Sequence, residues 1–255
     1  MHKWGMTCAV LLLSASAHAF DYNEALRDLF GNPDAAKTPT ASTANPTRVE
    51  NLKPAEIALG LKEALVRGSE IAVAQLGQKD GFFGNAALKI PLPANLKKAE
   101  KTMRLLGMGQ QADDLVLSMN RAAEAAVPEA KTLLVGAVKA MSVEDARGIL
   151  MGGSTAATDF FRNKTETILT ERFLPIVKST TDQSSMAQQY NNYAGMAAQF
   201  GVGKKGPATV EGYVTQQALD RLYQVIAEQE RSIRANPLQA SSDLMKKVFG
   251  AAMGQ

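Results

Sequence analysis

Histidine, cysteine and tryptophan are almost missing from this chain. Its 255 residues contain two histidines, one cysteine and one tryptophan. All four of them (His2, Trp4, Cys8 and His18) lie ahead of residue 19. Lys3, the apolar and small-residue run Trp4 to Ala15, and the ending Ala17-His18-Ala19 have the charge, length and small–x–small pattern of a secretory leader. The run is too short to cross a bilayer comfortably. We therefore expect a signal peptide over 1–19, cleavage after Ala19, and an exported, periplasmic mature chain starting at Phe20. Cys8 sits near the start of the run rather than at its end, which argues against a lipid anchor.

Removing that leader would remove every imidazole and every thiol. Without histidine there is no Ser-His-Asp or Cys-His device, and no disulfide can form. Zinc, copper and haem sites normally need His or Cys ligands, so we expect no metal and no cofactor. Oxygen ligands at EF-hand spacing are also missing. Gly201-Val202-Gly203-Lys204-Lys205-Gly206 lacks the spacer and the Ser or Thr of a phosphate loop, and no strand pattern precedes it. Of the formal charge of +3, only Lys3 is lost with the leader. The remainder is nearly balanced and unclustered, which excludes a dedicated nucleic-acid surface. No later segment is apolar enough for a transmembrane span, so the mature chain is expected to be soluble.

Apolar/polar alternation bounded by hairpin turns is missing too, and helical spacing is present nearly throughout. Phe20 to Phe30 is a short amphipathic segment. Gly31 to Glu50 carries Pro33, Pro39 and Pro46 among Thr, Ala, Ser and Asn, a composition that cannot offset the entropy of ordering, so residues 20–51 read as a segment plus flexible linker. From about 52 to 255 we expect a single all-α domain of about eight or nine helices. Pro54 suits a first helical turn, followed by the stripe Ile57, Leu61, Leu65, Ala72 and Leu76. Lys79 to Pro93 is a loop that must fold back on the body, since it carries Phe82 and Phe83. Helices are expected from Ala94 to a Gly107 stop, and from Gln110 to Pro128. Pro128 kinks that helix or starts another running to Met141. Ser142 to Asp145 forms a capping box, and the helix it opens ends at Gly152-Gly153. Ser154 or Thr155 caps the next helix, which Pro175 interrupts. Further helices are expected over Ser184 to Phe200, from Thr209 to Asn236, and after Ser241 or Ser242. Met103, Met119, Met141, Met151, Phe160 and Phe161 sit at core spacing.

Several segments in fixed order carry a resemblance. They are Gly60 to Leu65, Asp80-Gly81-Phe82 with Asn85, Lys89 to Pro93, and Asn120-Arg121-Ala122-Ala123-Glu124 with Val127-Pro128. Asp145-Ala146, Ala156 to Thr158 with Phe161, Tyr213-Val214 and Ile233-Arg234-Ala235-Asn236-Pro237 follow. Over about residues 52 to 250 the chain resembles a bacterial exported family known as domain of unknown function 4197. The resemblance implies an exported helical domain of a Gram-negative envelope and implies no activity. Tyr193 to Gly206 departs from the pattern, being Gly-rich where apolar packing is expected.

Two constellations carry chemistry. Asn120 and Glu124 lie one helical turn apart, and Arg121 can reach Glu124 at the three-residue spacing. Arg121 could clamp an anion while Glu124 takes a proton, or the three could form a buried ion pair bonded to a neighbouring element. The second constellation is Asp80, Asn85 and Lys89 on the loop, either a recognition surface or turn-forming side chains. Thr155 and Thr158 beside Gly152-Gly153 form a weaker third, because a helix N-terminus attracts anions. The preferred expectation is a non-enzymatic envelope module that binds a partner protein or an apolar small molecule, with no catalytic residue. One alternative is a metal-free hydrolase or lyase with Glu124 as base and Arg121 as clamp. The other is a purely structural envelope protein.

Overall fold

The computed structural model describes residues 53–105, 107, 109–185, 187–192, 209–236 and 242–253. The expected leader, the expected linker, Leu52 and the Gly-rich stretch Tyr193 to Gly206 lie outside the described residues. The helices, in chain order, are α1 (Pro54–Gly77), α2 (Ala94–Leu105), α3 (Gly109–Ala126), α4 (Ala130–Ala140), α5 (Val143–Met151), α6 (Ala156–Thr181), α7 (Val210–Ala235) and α8 (Asp243–Met253). A 3-10 turn, Val127–Glu129, joins α3 to α4, and residues 187–192 are helical. No strand occurs among the described residues. The domain is all-α.

Four helices, α1, α5, α7 and α8, start where their punctuation says. Pro54 occupies the first turn of α1, where a missing N–H costs nothing, and Glu56 accepts the Lys53 N–H at 3.2 Å. Ser142 and Asp145 exchange side-chain and backbone bonds at 3.0 Å in both directions, the expected capping box. Thr209 Oγ1 accepts the Gly212 N–H at the start of α7, and Ser242 Oγ accepts that of Met245. Gly107 follows α2 with φ +77°, the left-handed conformation that a residue without Cβ adopts freely.

The stripe on α1 is buried as expected: Ile57, Leu61, Leu65, Ala72 and Leu76 are each no more than 7% exposed. α1 packs against α4, α5, α7 and α8, while α6 packs along α7 and α3. Phe161, Leu169, Phe173 and Val177 of α6 meet Val214, Ala218, Leu222 and Tyr223 of α7 in one core cluster. Burying such side chains contributes roughly 1.5–3 kcal/mol each.

Two expectations are corrected here. Pro175 does not interrupt its helix: α6 runs through it to Thr181. Pro175 is on the solvent side, with Phe173 and Val177 buried on either side of it. The carbonyl freed by the missing N–H can therefore turn to water while core packing holds the helix on course. Met151 is not core but 65% exposed. It falls on the Glu144 and Arg147 side of α5, away from Ala146, Ile149 and Leu150. Met119, Met141 and Phe161 are buried and Phe160 is packed against the core; the side chain of Met103 lies outside the described residues.

Close approach of α1 and α8 depends on Gly60. A Cβ there would lie 2.7 Å from Val248 Cγ2 and 3.2 Å from the Leu244 carbonyl oxygen. Gly136, in α4, has nothing within 4 Å of such a Cβ. Gly60→Ala is expected to lose about 1–3 kcal/mol by overpacking, whereas Gly136→Ala should gain about 0.5–1 kcal/mol from helix propensity. Urea unfolding of the two variants side by side checks this. Equal gains would show that the α1–α8 contact is loose.

Candidate functional site

The loop from Gln78 to Pro93 folds over α3 because three side chains of that helix supply its missing hydrogen bonds. Asn120, wholly buried, accepts the Ile90 N–H at 2.8 Å and donates to the Ile90 carbonyl at 2.9 Å. Its amide also donates to the Val116 carbonyl at 2.7 Å. One turn on, Glu124 Oε1 accepts the backbone N–H groups of Phe82 and Phe83 at 3.1 and 3.2 Å. Its Oε2 accepts from Arg121 Nη1 at 2.6 Å, and Arg121 Nη2 donates to Asp80 Oδ1 at 2.6 Å. Phe82 is thereby inserted into the core at 0% exposure. The loop's entry is tight: Asp80 has φ +68°, and a Cβ on Gly81 would lie 2.5 Å from the Gln75 carbonyl oxygen. Asp tolerates the left-handed region better than most residues, and only glycine fits the next position.

Asn120, Arg121, Glu124 and Asp80 are thus brought together as one network. Lys89 joins it through Phe83, whose ring lies 4.0 Å from the Lys89 ammonium and 5.7 Å from the Arg121 guanidinium. Asn85 stays apart, accepting the Ala87 N–H at 3.0 Å within its own turn. Both oxygens of Glu124 are engaged, and its side chain is 5% exposed. The network's geometry positions a loop.

A second buried ion pair was not anticipated. Glu230 and Arg234 are 5% and 8% exposed and lie one turn apart on α7. Glu230 accepts the N–H groups of Ala157 and Thr158 at 2.9 and 3.0 Å, and the Thr158 hydroxyl at 3.0 Å. Arg234 donates to the carbonyls of Ile149 and Leu150 at 2.7 and 3.1 Å, and its Nε and Nη2 both reach Glu230. The carboxylate meets the first turn of α6 and the guanidinium the last turn of α5, each matched to the helix-end charge it faces. Thr155 takes the N-cap position without a side-chain cap bond. The anion drawn to this N-terminus is the protein's own Glu230. The available signals were the four-residue spacing of Glu230 and Arg234 and the place of Arg234 in a family-like motif.

Between α6 and α7, Arg162 bonds Glu166 and Asp220 at 3.0 and 3.2 Å and lies 4.6 Å over the Tyr223 ring. Burial pushes the Tyr223 phenol up to about 12, against a weaker opposing effect of the Thr165 hydroxyl 2.9 Å away. The folded protein therefore keeps a proton that the unfolded chain releases above pH 10, and stability should fall as pH rises from 10 to 12. An alkaline titration followed by phenolate absorbance and helical signal checks this. Full tyrosine ionisation near pH 10 with the helix intact would contradict it.

An open cleft of about 560 Å³ lies beside the anchored loop. Phe83, Ala87, Pro91 and Leu92 of the loop, with Val116 of α3, supply its apolar surface. Lys89, Lys97, Glu100, Arg104, Asp113 and Arg221 bring charge to it. Tyr213 of α7 donates to the Pro91 carbonyl at 3.2 Å, pinning the loop's far end. α2, which packs principally on α3, contributes Lys97, Glu100 and Arg104. Arg104 pairs with Glu100 at 2.8 Å and Asp113 at 2.6 Å, and its hydrogen bond holds the Asp113 carboxyl below the usual carboxylate range. Another cleft, of about 350 Å³, is polar, lined by Gln111, Ser118, Thr180 and Ser184 among others. Among the described residues no cluster of three or more His, Cys, Asp or Glu could hold a metal ion, and no helix is long and apolar enough to cross a membrane.

A sequence model of the family described as "Protein of unknown function (DUF4197)" matches residues 51–250. No curated protein and no solved structure matches the chain.

Proposed function

The chain belongs to the DUF4197 family of proteins of unknown function, and from that premise we propose that it is a non-enzymatic, exported module that binds an apolar small molecule in the periplasm. The observation that carries this reading is the 560 Å³ cleft with Phe83, Pro91, Leu92 and Val116 on its walls. That volume lies within the range of small-molecule sites, and six of the twelve lining residues are apolar. Of the two kinds of partner expected from the sequence, a small molecule suits this concavity better than a protein does.

The alternative of a carboxylate-based hydrolase or lyase needs Glu124 free to take a proton from a substrate. A general base must lie within hydrogen-bond reach of the proton it removes. Here Glu124 is engaged by two backbone N–H groups and Arg121. Asn120, Arg121, Glu124 and Asp80 support binding indirectly, by holding the loop that walls the cleft. Lys89 is the residue of the original set that lines it.

Native mass spectrometry of the protein recovered from the periplasm tests the reading. We expect a mature chain beginning at Phe20 with a non-covalent adduct of a few hundred daltons. Val116→Asp, which places a carboxylate on the apolar wall, should abolish the adduct. A bare chain from repeated native preparations would count decisively against a binding module.

A further inference from the structure

Resting on that reading, we infer that the cleft ligand carries an anionic carboxylate head, seated by Lys97, Arg221 and Lys89 while its apolar body lies along Phe83, Leu92 and Val116. The cleft has four cations, Lys89, Lys97, Arg104 and Arg221, against two acids. Its two acids, Glu100 and Asp113, are both bonded to the same guanidinium, that of Arg104. Three cations remain. Lys97 is exposed and makes no ion pair among the described residues. Lys89 has a ring beneath it and, among the described residues, no carboxylate bonded to it, although its charge also helps to lower the Asp113 pKa. Arg221 donates to Gln217 at 3.1 Å, on its own helix, and its buried Nε has no acceptor among the described residues.

A guanidinium carries five donors in a rigid fork, and a buried one left unpaired is costly. The buried Nε of Arg221 is out of reach of the cleft, and what Arg221 brings to the cleft wall is a positive charge with no carboxylate bonded to it among the described residues. Cations clustered at a concave, partly apolar surface raise the local concentration of anions and strengthen hydrogen bonds to them. The same site disfavours a cationic amphipath by like-charge repulsion, and a neutral one gains no charge attraction from the three cations. The chemistry recognised is a carboxylate joined to a hydrocarbon body.

Titration calorimetry of the mature chain with dodecanoate, dodecanol and dodecyltrimethylammonium, each below its aggregation concentration, separates the inference from the reading beneath it. Dodecanoate is expected to bind at least about tenfold tighter than dodecanol, the scale of one charge-assisted hydrogen bond. Its affinity should weaken as salt is raised. Lys97→Gln, at an exposed position that leaves the fold intact, should weaken dodecanoate several-fold and leave dodecanol unchanged; Arg221→Gln should do so more strongly. If dodecanol matches dodecanoate and both variants bind like the parent, the anion seat is wrong and the apolar cleft stands. If the ammonium probe binds best, the sign of the site is wrong. If none of the three binds, the anion seat and the cleft reading fall together.

Discussion

Glu230→Ala is expected to lower stability by about 3–5 kcal/mol, because it strands the Arg234 guanidinium in the core. In a chain of this size that corresponds to a fall in Tm of roughly 10 °C. The loss has three parts. Ala157 and Thr158 lose the acceptor of their backbone N–H groups, Thr158 loses its hydroxyl partner, and Arg234 keeps only the carbonyls of Ile149 and Leu150. Removing both charges should be milder than removing one. Glu230→Leu combined with Arg234→Met leaves no buried charge and keeps the apolar volume, so it should recover part of the loss. Thermal and urea unfolding of the single and double variants decide the matter. A single variant within about 1 kcal/mol of the parent would mean that water replaces the carboxylate, against its 5% exposure.

Asn120→Ala should have the next largest effect, about 3 kcal/mol, and a local one. Ile90 is wholly buried, and the substitution leaves both its N–H and its carbonyl without their Asn120 partner. Each buried unpaired group costs about 1–3 kcal/mol. The loop should open more often in the variant, so trypsin should cut after Lys79 and Lys89 faster than elsewhere. Asn120→Asp keeps the acceptor for Ile90 N–H but turns a carboxylate oxygen toward the carbonyls of Ile90 and Val116, so it should be at least as harmful. Asn85→Ala, which removes one exposed turn bond, should cost under about 1 kcal/mol. Similar trypsin sensitivity in Asn85→Ala and Asn120→Ala would show that the loop is held by its own turns and not by α3.

Much of the fold was legible because the devices that start and stop helices are local. Pro54, the Ser142–Asp145 box, Gly107 and Thr209 act within four residues of themselves, and each marks the boundary expected of it. Pro175 misled for the same reason. A proline signals a break locally, and only the burial of Phe173 and Val177 shows that packing overrides it. The Asn120-Arg121-Glu124 cluster was legible as a polar group on a mostly apolar helix. That it would bond to a neighbouring element was one of two open readings; that its partners are the amides of Phe82, Phe83 and Ile90 was not legible, since those residues lie 42, 41 and 30 positions away.

From sequence alone came the helical periodicity, the all-α class, the family and the inward position of the α1 stripe. The periodicity, the class and the stripe depend on spacing along one segment, where 3.6 residues per turn puts chosen side chains on one face; the family rests on the order of short motifs over residues 51–250. Tertiary structure alone decided which buried charge meets which helix end, and which cations remain unpaired at the cleft. Glu230 and Arg234 find partners 72 to 85 residues away. Arg221, Lys97 and Val116 come from three different helices. Coulombic and hydrogen-bond energies depend on distances in space, and those distances exist only once the helices have packed.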